Sequence, residues 1–136
     1  MRRILVYLLA ALAFVAAVAT AEEEMDEDLM QSIEDTNKSL SSDLALKDDK
    51  AVASDAKDLE QMFSKVEIYF THRGNADDAV DLARRSEQLT GEILKSVAAE
   101  DFDTAMDTST TLSRTCKTCH RSYKKDKDKT KDKDKN

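Results

Sequence analysis

Two thiols and an imidazole stand together near the end of the chain, in the run CKTCHR over residues 116–121. Cys116, Cys119 and His120 could serve three chemistries, and each makes a different demand on its surroundings. A redox dithiol wants its CxxC at a helix N-terminus, where the positive end of the dipole lowers the thiol pKa, usually within a βαβ unit. Here the pair falls in the last turns of a helical pattern with no strand nearby. A structural zinc ion needs four ligands, and only His72, the other histidine of the chain, is left to complete the set. Neighbouring helix positions such as 119 and 120 also project about 100° apart, which suits one small tetrahedral ion poorly. A covalent haem uses that divergence: two thioethers tether the macrocycle through Cys116 and Cys119 while His120, on the adjoining face, supplies an axial ligand.

The elements that must position these residues read as four amphipathic helices. The chain has no proline and only two glycines, Gly74 and Gly91, so boundaries come from charge clusters and caps. The first segment spans Glu23 to about Leu46, with Met30, Ile33, Leu40 and Leu44 on a stripe that Asn37 interrupts. Lys47 to Asp49 is a short link. The second runs from Asp49 to about His72 and places Val52, Ala56, Leu59, Phe63, Val66 and Phe70 at steps of three and four. Gly74 suits the left-handed position beyond it, and Asn75 is the expected N-cap of the next helix. The third, Asp77 to about Ala99, turns Ala79, Val80, Leu82, Ala83, Leu89, Ile93 and Val97 inward. Glu100 and Asp101 cap the fourth, Phe102 to about Lys125, whose stripe is Phe102, Ala105, Ser109, Leu112, Cys116, Cys119 and Tyr123. Helices of this length on such short links pack as antiparallel neighbours, so the expected fold is all-α, an up-down-up-down four-helix bundle.

The rest of the chain sets compartment and partners. Met1-Arg2-Arg3, an uncharged run from Ile4 to Ala19 and the small-x-small Ala19-Thr20-Ala21 form the three parts of an export signal. The run of 16 residues is shorter than the ~20 of a membrane-spanning helix. The expectation is a cleaved signal over residues 1–21, a bundle domain over 22–125, and a Lys/Asp-rich tail over 126–136 that lacks the apolar residues needed to order it. In an exported chain a CxxC oxidises to a disulfide unless something else occupies its sulfurs. Charged residues are 36% of the chain and aromatics 5%, a composition poorly suited to a β-sandwich. The signal carries two arginines and no acid, so the net charge of −7 becomes −9 for the mature chain, which argues against nucleic-acid binding. The pattern contains no acid/base pair of a substrate pocket, so neither catalysis nor a small-molecule substrate is expected.

With an export signal, four helices and a single CxxCH near the C-terminus, the chain up to Tyr123 resembles the class II c-type cytochromes, the cytochrome c′-like four-helix bundles. The resemblance implies one haem c held through Cys116 and Cys119, with His120 as axial iron ligand. It also implies that a residue of the first helix decides the sixth iron position. Bundle topology places Met25, Leu29, Met30 and Ile33 at the same end as Phe63, Val66, Phe70, Leu82 and Ala83, the expected haem pocket. Met30, on the core stripe, is the preferred ligand over Met25 in the first turn; His72 is a further alternative, and a purely packing role for Met30 is another. Arg84, Arg85 and Arg121 are candidates for pairing the haem propionates, but solvated surface is the preferred reading for any one of them. Many members of the family carry a basic residue one turn before the sixth ligand, where this chain has Asp26.

Met30 at the iron implies a periplasmic electron carrier that meets periplasmic or membrane redox proteins. Leu29 or Ile33 there instead implies a five-coordinate protein that binds NO or CO. A third expectation, from a different class, is a helical adaptor stapled by zinc or a disulfide without haem. The family leaves a homodimer open, although the first two helices show no clear outward apolar stripe.

Overall fold

A computed structural model describes residues 25–124; the expected export signal and Lys/Asp tail lie outside them. Four helices make up this part: α1 (Glu27–Leu46), α2 (Asp49–Arg73), α3 (Asp77–Ala98) and α4 (Phe102–Tyr123), with no strand among the described residues. No helix there is long and apolar enough to cross a membrane.

Each helix packs against its neighbours in sequence, and α1 meets α4 to close the ring. The fold is therefore the expected all-α four-helix bundle. The α2–α3 seam is the most extensive contact and the α1–α4 seam the sparsest. All six apolar residues of the α2 stripe are buried, together with Ile33, Leu40 and Leu44 of α1. On α3, Ser86 and Thr90 are buried among the inward residues between Ala83 and Ile93; their hydroxyls donate to the carbonyls of Leu82 (2.9 Å) and Glu87 (2.6 Å), which makes their burial tolerable.

Three helices begin on an aspartate cap. Asp26 accepts from the amide of Asp28, Asp48 from that of Ala51 and Asp101 from that of Thr104, each satisfying a donor that the first turn leaves open. Helix α1 thus starts at Glu27 rather than Glu23, since the acidic run before it gives no sign of where the cap will fall. The α2–α3 link also differs from expectation. Gly74 has positive φ (70°) with an extended ψ of 167°, and Asn75 itself is in the left-handed region at φ 51°. The N-cap of α3 is Ala76, with no side-chain cap. A left-handed Asn75 completes the reversal, so it stands one residue too early to cap.

The ends of the bundle follow from this order. One end holds the α1–α2 and α3–α4 links; the other holds the start of α1, the α2–α3 link and the end of α4. The CxxCH lies at the second.

Candidate functional site

Inside that second end the four helices part around a cavity of about 790 Å³. This lies within the ~300–1,000 Å³ typical of ligand and cofactor sites. Helix α2 supplies an aromatic and apolar wall of Phe63, Val66, Tyr69 and Phe70; α3 adds Leu82, Ala83 and Ser86. Helix α1 contributes Met30 and Ile33, Met25 lines it from just before that helix, and α4 contributes Cys116, Cys119, His120 and Tyr123. The helical period brings these together: 116, 119, 120 and 123 form one stripe on α4, and 63, 66 and 70 one on α2.

The cavity exists because packing fails at one level. Asn37 on α1 donates to Ser113 on α4 (3.2 Å), while its own amide oxygen is buried with no protein partner among the described residues. A small polar pair there does not fill the space that leucines fill nearer the other end, and the α1–α4 seam opens from that level outward.

The two thiols are unbridged and half-buried, bordering the cavity rather than sealed in the core. Burial holds the Cys116 thiol above its ordinary pKa. Cys119 is pushed up to about 11, by burial first and then by the neighbouring Cys116 and Asp78. Thiols raised in this way are protonated at neutral pH and are poor attacking groups, the opposite of what a redox CxxC requires. His120 is more exposed than the cysteines; burial of part of its ring, and Lys124 nearby, hold its pKa below the ordinary value against the pull of Glu34. No three His, Cys, Asp or Glu side chains converge as metal ligands among the described residues, so Cys116, Cys119 and His120 do not form a zinc set. His72 is exposed and does not line the cavity.

An aromatic corner closes the far end. Phe70 packs on Tyr69 (5.0 Å between centroids, near perpendicular) and on Tyr123 (4.9 Å, tilted). The Tyr123 hydroxyl donates to Asp78 of α3, and this bond, more than burial, pushes its pKa up to about 12. The corner thereby links α2, α3 and α4 around the last turn of the CxxCH helix.

Of the residues expected at the pocket, Ile33, Phe63, Val66, Phe70 and Leu82 line the cavity. Leu29 does not; it sits one helix step, about 100°, from Met30 and packs against the core instead. The three arginines named as propionate candidates take the surface role also open to them. Arg84 pairs with Glu67 (2.6 Å) and Asp81 (3.5 Å), Arg85 with Glu92 (3.2 Å), and Arg121 donates to Thr118 (3.2 Å). None of them borders the cavity, whereas Arg73, Lys117 and Lys124 do. Arg73 had a signal in the sequence, for it continues the α2 stripe three residues beyond Phe70. Asp26 is taken up as the α1 cap.

No family model, curated protein or solved structure matches this chain.

The site therefore rests on its own chemistry. The donor set fits a haem: two thiols for thioether bonds, an imidazole beside them, and the thioethers of Met25 and Met30 across an apolar cavity.

Proposed function

We propose that this chain is an exported single-haem c-type cytochrome that carries electrons, of the class II four-helix kind it resembles. The observation that supports the reading is that both cysteines of the CxxCH, His120 and Met30 line one cavity with an aromatic and apolar wall. Cys116 and Cys119 would hold the macrocycle through thioether bonds, which also explains why thiols of an exported chain need not be paired. His120 and Met30 would be the side chains that hold its iron. When bound, haem supplies a one-electron iron couple, which a His/Met pair shifts toward the reduced form.

The chain's own residues supply the surroundings. Phe63, Val66, Phe70 and Leu82 exclude water from the cavity wall, and a low-dielectric wall disfavours the additional charge of oxidised iron. The closed half of the bundle holds α1 and α4 at fixed spacing, so two protein ligands would keep their places when the electron leaves. The partners of such a carrier are redox proteins of the periplasm or the membrane.

A second reading has its own support: Ile33 lines the same wall of α1 as Met30. If Ile33 is the residue that faces the iron, the protein is a five-coordinate binder of NO or CO. Mass spectrometry of the protein from its native host, on the peptide carrying Cys116 and Cys119, tests the haem itself; a colourless protein without porphyrin mass ends the proposal. A ferrous spectrum that is low-spin and indifferent to carbon monoxide supports Met30, and a high-spin form that binds it removes Met30 from the site.

A further inference from the structure

Arg73 lines the cavity from the last turn of α2, at the end that holds the α2–α3 link. The Arg73 guanidinium carbon lies 6.0 Å from the centre of the Phe70 ring and 5.9 Å from that of Tyr123, a seat on two aromatic faces. Tyr123 is in turn fixed by its bond to Asp78. Arg73 is an exposed residue resting on rings of two helices, and none of the ion pairs among the described residues includes it. Its planar fork of N–H donors matches a carboxylate.

We propose that Arg73 is the anion anchor of the cavity, taking a carboxylate at the edge of the bound porphyrin and so setting which edge faces the α2–α3 link. The proposal rests on the haem reading and deepens it. The charge and planar fork of Arg73, which borders the cavity, make that corner the seat of such an edge. Lys117 and Lys124 also border the cavity, but neither rests on an aromatic ring as Arg73 does.

The test uses protoporphyrin IX, which has two carboxylates, against its neutral dimethyl ester, each titrated by absorbance into the full mature chain isolated without haem. The wild-type chain binds the diacid about tenfold more tightly than the ester, the worth of one charge-assisted contact. Arg73→Gln brings that ratio close to one, and Arg73→Lys, which keeps the charge and loses the fork, gives a ratio in between. A purely structural arginine would lower the melting temperature of Arg73→Gln and leave the ratio alone, and that outcome overturns the assignment. Should Arg73→Gln lose its helical circular dichroism, Arg73→Met, which keeps an apolar stem over the rings, decides by the same ratio. A wild-type chain that binds both porphyrins equally overturns the role of Arg73 alone. One that binds neither also overturns the anchor, and the haem reading itself stands or falls on the mass of the native CxxCH peptide.

Discussion

The two halves of this bundle are built to opposite rules. In the linked half, Leu40, Leu44, Val52, Leu59, Ile93 and Leu112 are wholly buried, and four helices interlock around them. In the other half the same four helices present Met30, Phe63, Phe70, Cys116 and Tyr123 to a cavity. Neither helix count nor period changes between them. What changes is residue size at one level: Asn37 and Ser113 replace the large apolar pair that would continue the core. The comparison teaches that stability and site are separable here. The linked half is sufficient to align the helices, and the other half is free to hold a large group.

The largest expected effect tests that division directly. Leu59→Ala, in the linked half, should destabilise the protein by about 3 kcal/mol in chemical unfolding, since it leaves a void that close-packed neighbours cannot fill. Met30→Ala should cost less than about 1.5 kcal/mol in the haem-free chain, because its side chain already borders empty space. Equal losses would mean that the cavity half carries as much of the fold as the linked half.

Next in size is thiol reactivity. With Cys119 at about 11 and Cys116 also raised, alkylation by iodoacetamide at pH 7 in the haem-free chain should run roughly tenfold or more below that of an unfolded control. Rates equal to the control would remove the protected cavity wall. Smaller again is the cap of α4 in the linked half. Asp101 accepts from both the amide and the hydroxyl of Thr104 (3.1 and 2.7 Å), and Asp101→Ala should cost about 1 kcal/mol by thermal unfolding.

The smallest effect concerns Glu87, at the boundary between the halves. Burial, and then Glu67 beside it, raise its pKa above the ordinary glutamate value, and one of its oxygens is buried without a partner. The fold therefore prefers the protonated carboxyl. Its contribution is present below the unfolded value and is lost as pH rises through the raised one. Glu87→Gln should accordingly gain less than about 1 kcal/mol at pH 7 and nothing near pH 4, read from unfolding at both. A gain of equal size at both pH values would rule out the protonation argument.

Much of this arrangement was legible in the residues. The α2 stripe is apolar at every inward step, so its six buried positions could be read directly from the 3.6 period. The cavity wall followed from topology, because antiparallel links fix which ends meet. Other features depended on lateral neighbours that one helix does not reveal. Arg84 is drawn away from the cavity by Glu67 on the adjacent helix, a pairing set by how α2 and α3 lie side by side. Leu29 and Met30 are both apolar, and which of them faces the cavity is decided by about 100° of helix rotation. Ser86 and Thr90 escaped notice as inward residues because polarity hides a small side chain that satisfies itself on its own helix.

The weak α1–α4 seam gives the molecule a doorway. At the cavity end no link of the chain joins these two helices. On the haem reading proposed above, a flat guest would thus have a way in edgewise that leaves every connection intact.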